Sequence, residues 1–313
     1  MQNRNKPIAA FSIIELAITI VVGAVVIAAL VKANSMFERV VGSVWQAGGK
    51  YMADMTPACE GGAIDGSSVE GKIIHIFTTD DTLACSRDIE VEYLIVAGGG
   101  GGGGNKTTGG GGGGGFLSGI DLIIPGSYPI IVGRGGSPYS KGQDSSFNSL
   151  VAIGGGRGGS GATSGGGLNG GTGGSGGGNG RAGSKSTPNN GTTGQGYTGG
   201  AGQNNGWSSG GGGGAGGSGG KGGSSSGGRG GNGKQSDITG TNVWYAAGAP
   251  GMYTYYGGVC GGKAAGGSAC NEDGAPNTGN GGGVKGNSSK GRPGGSGIVV
   301  IRYNKEKELV NID

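Results

Sequence analysis

The sequence predicts an α+β chain in three parts. These are a long N-terminal helix, a short disulfide-bonded β-region, and a glycine-rich domain of packed polyglycine-II-like runs with a small β-framework. Three observations predict it. Phe11 to Val31 is an apolar stretch whose only charge is Glu15. Strand-length segments recur at the borders of the glycine tracts, with Ile89, Val91, Tyr93 and Ile95 alternating onto one face. Glycine supplies 88 of 313 residues, about four times its usual share of roughly 7%.

The apolar stretch comes first. As a helix, its 21 residues rise about 32 Å, enough for a hydrocarbon core of about 30 Å. Residues 1–10 carry Arg4 and Lys6 and no acid, a charge that stays on the cytoplasmic side. Over 32–47 the apolar positions Met36, Phe37, Val40, Val41 and Val44 keep a helical spacing with a polar opposite face. An ordinary secretory signal has its small-residue cut after the apolar region. Here the small pair Ala9-Ala10 precedes it.

With the basic leader upstream and the apolar segment downstream, A-F-S-I-I-E-L at 10–16 resembles the N-terminus of type IV pilins and of the pseudopilins of type II secretion. The resemblance covers residues 1 to about 47. It departs from the family at Ala10, where glycine is usual, and in lacking a proline midway along the helix. It implies that a prepilin peptidase cuts between Ala10 and Phe11 and that Phe11 is then N-methylated. It also implies an inner-membrane assembly platform and a homo-oligomeric filament built through the N-terminal helix. A carboxylate inside a membrane costs about 2.5–3.5 kcal/mol and needs a partner. The resemblance gives Glu15 one, the new amine of Phe11 on a neighbouring subunit. The plainer reading is a membrane anchor with Glu15 at a helix end.

Residues 48–88 read as a linker and the start of a β-region. The segment 72–86 gives a strand, a turn near Asp80-Asp81 and a second strand edge. Cys59 and Cys85 bracket it. An even count of 4 cysteines fits an oxidising compartment if the protein is exported. We pair these two, and closing such a loop stabilises by about 3–4 kcal/mol in the chain-entropy model. Neither cysteine has a close second ligand and the chain has 1 histidine, His75, so no metal site is expected. His75 sits in the alternation Ile73, His75, Phe77 and reads as a packed or half-exposed strand residue, not a catalytic base.

The glycine-rich domain spans 89–304, with a tail at 305–313. Strands are expected at 89–98, in two segments over 116–136 joined at Pro125-Gly126, at 145–156 and at 294–304. Between Gly154 and Thr239 there is almost nothing apolar to bury. Ordering a backbone costs about 1–2 kcal/mol per residue, and glycine costs most. Two outcomes are physical, a flexible linker or extended glycine runs bonded side by side, and the strand framework favours order. V-E-Y-L-I-V-A-G-G-G, I-P-G-S-Y-P-I-I-V-G-R-G-G, S-S-F-N-S-L-V-A-I-G-G-G-R-G-G and the closing G-G-S-G-I-V-V-I-R-Y resemble the glycine-rich domains of phage tail-tip adhesins and of an anaplastic-lymphoma-type receptor kinase. That resemblance implies a lattice of polyglycine helices capped by a β-framework, and a role in recognition.

Most nucleotide and metal motifs dissolve on inspection. G-x-G-x-x-G recurs by chance at this glycine content, and no tract ends in G-K-[ST]. Removing Arg4 and Lys6 from the 23 basic side chains leaves 21 against 19 acidic, too even for nucleic-acid binding. One stretch stands out, 241–270, where Trp244, Tyr245, Tyr253, Tyr255 and Tyr256 cluster among glycines and Cys260 and Cys270 are placed to staple the loop. Tyrosine and tryptophan with glycine, serine and asparagine is paratope chemistry. The same rings also serve to pack on a glycine lattice, and both readings stand. No catalytic constellation or cofactor motif is present, so no enzyme is expected. The expected function is a pilin-like filament subunit exposing its glycine-rich domain for attachment to an unknown surface receptor, or for protection. The alternatives are a minor pseudopilin and a membrane-anchored glycine-rich adhesin.

Overall fold

The computed structural model describes residues 57–104, 107–161, 169–181, 189–203, 207–253, 259–261, 264–284 and 291–305. All fall within one compact unit, Pro57–Lys307. The expected helix over 11–47 lies outside the described residues. Among the described residues there is no helix, so the α+β class is corrected to all-β. The reason is local. These residues alternate with a period of two or run as glycine, the residue with the lowest helix propensity after proline.

Two five-stranded antiparallel sheets carry the side-chain core. The first has the order β1 (Cys59–Glu60), β4 (Asp81–Cys85), β7 (Gly126–Ile131), β8 (Ser145–Phe147), β9 (Leu150–Ala152). The second has the order β2 (Ala63–Asp65), β3 (Lys72–Phe77), β14 (Ile298–Asn304), β5 (Ile89–Val96), β6 (Phe116–Ile123). Two further antiparallel pairs join β10 (Lys234–Ser236) to β11 (Val243–Tyr245) and β12 (Met252–Tyr253) to β13 (Val259–Cys260).

The alternation read in β5 holds. Val91 and Ile95 are buried against Leu83, Ile130 and Phe147 of the first sheet, with Ile89 and Tyr93 packed at the margin. The apolar run of β14 is explained by burial on both faces. Val299, Ile301 and Tyr303 enter the core between the sheets, while Ile298 and Val300 join Leu94, Phe116, Ile238 and Tyr245 on the far side. The strands read within 72–86 also exist, but they do not pair with each other. β3 joins β14 and β2, whereas β4 joins β1 and β7. Residues 57–88 therefore supply strands to both sheets. The segment 145–156 is a hairpin, turning at Asn148, whose φ of 53° suits a tight two-residue loop.

The expected disulfide is present. Cys59 and Cys85 are register partners across β1 and β4, with Cα atoms 4.0 Å apart.

The second core is made of backbone. The run 97–103 shows a repeat of three. Gly98 and Gly101 donate to the carbonyls of Gln143 and Ser140 at 3.0 and 2.9 Å, and Gly99 and Gly102 to Gly295 and Arg292 at 2.9 and 2.8 Å. Gly100 and Gly103 donate to Gly112 and Gly109 at 2.9 and 3.0 Å. Three residues per turn is polyproline-II geometry, so successive N–H groups point about 120° apart and address three different neighbours. The run 109–115 is surrounded. It donates to 153–159, 210–213 and 279–282, and accepts from 97–103, 175–178 and Ala249. Both runs are buried throughout their described residues. Glycine is required because each Cβ direction is occupied; at Gly110 a Cβ would stand 2.0 Å from the Ala249 carbonyl oxygen. Burial of so many peptide groups is tolerable only because they bond to one another. The tract 209–233 is part of this lattice and not a loose linker.

Candidate functional site

The sequence singled out the stretch 241–270. Trp244 and Tyr245 lie on β11, opposite Gln235 and Lys234. Strand alternation sends the two rings to opposite faces. Tyr245 is buried in the cluster of Leu94, Phe116 and Val300, and burial pushes its hydroxyl above its ordinary pKa. Trp244 is half-buried against Gly266, where an added Cβ would fall 2.1 Å from the Trp244 Cβ. Tyr253 is buried on β12. Tyr245 and Tyr253 are thus buried, while Trp244 keeps part of its surface exposed. Tyr255 and Tyr256 lie outside the described residues, as do the processing pair Ala10 and Phe11 and the assembly residue Glu15. Cys270 is disulfide-bonded; the side chain of Cys260 lies outside the described residues.

His75 is fully buried. Its Nδ1 lies 2.7 Å from the Gly61 carbonyl oxygen, which can only accept, so Nδ1 carries the proton. Nε2 is then an acceptor and receives the Tyr303 hydroxyl at 3.1 Å. The same hydroxyl accepts the Cys59 N–H at 3.2 Å. Burial lowers the pKa of His75, partly opposed by the bond to Gly61. The neutral imidazole thus ties β3, β14 and the disulfide strand together, with no free nitrogen and no water-facing edge. Its role is structural.

The surface carries a different aromatic site, which the sequence reading passed over. Tyr197 is 52% exposed, far more than any described ring of the 241–270 stretch. It stands beside a half-open pocket of about 480 Å³ lined by Thr193, Gly194, Tyr197, Ala215, Gly216 and Lys234. One wall is the turn 192–196, where Gln195 and Gly196 both donate to the Thr192 carbonyl and Gly194 takes a φ of +78°. That turn is fixed from behind. The Gln195 side chain accepts from Ile153 N–H at 2.8 Å and donates to the Val151 carbonyl at 2.9 Å, as a neighbouring strand would. The Gln195 carbonyl accepts from Phe116 N–H at 3.1 Å. Tyr197 itself is held by its N–H to Gly214 O at 3.1 Å and its carbonyl to Gly176 N–H at 2.9 Å.

On the opposite wall Lys234 opens β10. Its ammonium lies 4.8 Å from the centre of the Phe116 ring, a cation–π contact that positions the charge without neutralising it. Among the described residues no carboxylate forms an ion pair with Lys234. In sequence, the stretch 145–236 carries Arg157, Arg181, Lys185, Lys221, Arg229 and Lys234 and no acid, and is bordered by Asp144 and Asp237. Elsewhere Arg181 covers the ring of Trp207 at 3.4 Å from its centre. The only local signal for the pocket in sequence was a lone tyrosine in T-T-G-Q-G-Y-T, bracketed by hydroxyl side chains.

Among the described residues no group of three His, Cys, Asp or Glu side chains is placed to hold a metal ion. None of their elements is a helix long and apolar enough to cross a membrane. A search of curated proteins returned no match. The glycine-rich domain family matches residues 78–304, the stretch from just after β3 to the end of β14. With most of its length matched and its glycines in a hydrogen-bonded lattice, the chain belongs to the glycine-rich domain family.

Proposed function

We propose that the chain is a type IV pilin-like structural subunit of an extracellular filament, displaying its glycine-rich domain for attachment or protection. The observation that carries this reading is the segment A-F-S-I-I-E-L at 10–16, preceded by a basic leader and followed by an apolar run. The Cys59–Cys85 disulfide supports it, because such bonds persist in oxidising compartments. In this reading a prepilin peptidase cuts between Ala10 and Phe11 at the inner membrane. The assembly platform then adds the subunit to a filament in which Glu15 meets the neighbouring amine, and the domain faces a surface receptor.

N-terminal sequencing of the mature protein tests the reading. The expected start is Phe11. A retained Met1, or a start beyond Val31, overturns it. Glu15→Val is expected to leave the subunit in the membrane while filaments disappear; normal filaments from that variant would reduce Glu15 to a tolerated charge.

A further inference from the structure

We infer that the pocket between Tyr197 and Lys234 binds an anionic saccharide, a pyranose unit carrying a carboxylate. The inference rests on this pocket alone and stands whether or not the N-terminal segment assembles into filaments. Its volume of about 480 Å³ lies within the range of small-ligand sites. The half-open shape suits one unit of a longer polymer, which must enter and leave along its chain.

The lining has three kinds of recognition group in one place. The exposed ring of Tyr197 offers a flat apolar face to the C–H groups of a pyranose, and its hydroxyl remains free to meet water or a sugar oxygen. Thr193, exposed on the turn, supplies a hydroxyl that both donates and accepts, as sugar hydroxyls require. Lys234 supplies a point charge for a carboxylate, and bonds to an ionised group are the stronger ones. Among the described residues no carboxylate forms an ion pair with Lys234, so its charge is available to an anion. The site is also built in advance. The Gln195 clasp on Ile153 and Val151 holds the Thr193 turn. The Phe116 ring holds the ammonium, and the buried Ala215 also lines the pocket. Preorganisation matters here because sugar ligands offer little apolar area to offset ordering costs.

Titration calorimetry on the full-length chain, with trigalacturonate as probe and its fully methyl-esterified form as the uncharged isostere, tests the proposal. Trigalacturonate is expected to bind with a Kd at or below about 1 mM, and the ester at least about tenfold more weakly. Lys234→Met keeps the aliphatic stem and should weaken trigalacturonate by about tenfold or more while leaving the ester unchanged. Tyr197→Ala should weaken both. Lys221→Met, which removes an exposed charge outside the pocket, should change neither. Thermal melts of each variant should match the parent, since the altered side chains are exposed; a binding loss that tracks a lowered melting temperature counts against the site. No binding of trigalacturonate at millimolar concentration, equal binding of the ester, or equal losses in Lys221→Met and Lys234→Met would each overturn the proposal. Equal competition by simple acetate would reduce the site to an adventitious anion contact and overturn it as well.

Discussion

Gly212→Ala adds one methyl group to the lattice, and its consequence can be worked from the geometry. Gly212 donates to Ala249 O at 2.8 Å and accepts from Gly231 N–H at 2.8 Å. Its Cβ position lies 2.0 Å from the carbonyl oxygen of Gly111 and 2.5 Å from the carbonyl carbon. Real Cβ contacts do not fall below 3.0 Å, so one backbone must retreat by about 1 Å. Gly111 is poorly free to do so. Its oxygen accepts Ala249 N–H at 3.0 Å and its N–H reaches Gly282 O at 3.1 Å, bonds that a retreat of that size would break or badly bend. Overpacking costs about 1–3 kcal/mol, and each buried peptide group left unpaired about 1–3 more. Against this, replacing glycine lowers unfolded-state entropy and returns about 0.4–1 kcal/mol. The expected net destabilisation is about 2–5 kcal/mol, read as a lowered urea midpoint at unchanged slope. Gly66→Ala is the matched control. Nothing lies within 4 Å of its Cβ position, so the same change should be neutral or mildly stabilising. If Gly212→Ala keeps the midpoint of the parent, side-by-side backbone packing is not what holds this tract.

His75 should make the domain sensitive to mild acid. Its folded pKa is depressed, so the unfolded chain binds the proton more readily; the stability it lends is full above its ordinary value of 6.5 and is lost as pH falls through the folded pKa. Unfolding free energies from urea titrations should therefore fall between pH 7.5 and pH 5, by no more than about 1.4 kcal/mol per pH unit, and His75→Phe should flatten that window while lowering stability at pH 7.5. A variant with the parent's slope would assign the loss to other groups; Asp81 and Glu92 start from carboxylate values and are shifted down, away from this range. Cys59→Ser with Cys85→Ser should cost about 3–4 kcal/mol, checked by denaturation with and without reductant. In the double variant the reductant should have little further effect on this region. Tyr245→Ser should lower the melting temperature, because the ring fills the cluster around Phe116 and Val300, and an unchanged melt would free the ring for a surface role.

The β-framework was legible where side chains alternate or run apolar without interruption. β5 shows its core face in Val91 and Ile95, and β14 shows two buried faces in Ile298 to Ile301. Sheet membership was not legible. β14 lies between β3 and β5 with Val300 opposite both Ile76 and Leu94, and a pairing across more than two hundred residues leaves no local trace. The order of the glycine tracts could be argued from the strands that flank them, but the partner of each run could not, since one glycine run reads like another. The aromatic stretch left packing and projection undecided for a related reason. Tyrosine among glycines has the same composition whether it projects or packs, and only burial separates Tyr245 from Tyr197.

That separation follows from the lattice itself. A run such as 109–114, surrounded on all sides, has a neighbour's backbone where each Cβ would stand, so it can carry no recognition chemistry at all. Side chains are admitted only at outward-facing rows, at turns, and where the runs meet the sheets. Gly115 leads into Phe116 at such a border, and Gly233 into Lys234 at another. The turn 192–196 is bound to the same place through Gln195. A domain with a backbone interior therefore concentrates its chemistry at its seams. The pocket between Tyr197 and Lys234 lies on a seam, with a glycine run behind the tyrosine and the second sheet behind the lysine. Substitutions within the runs should act on stability, and substitutions at the seams on binding, with little exchange between the two.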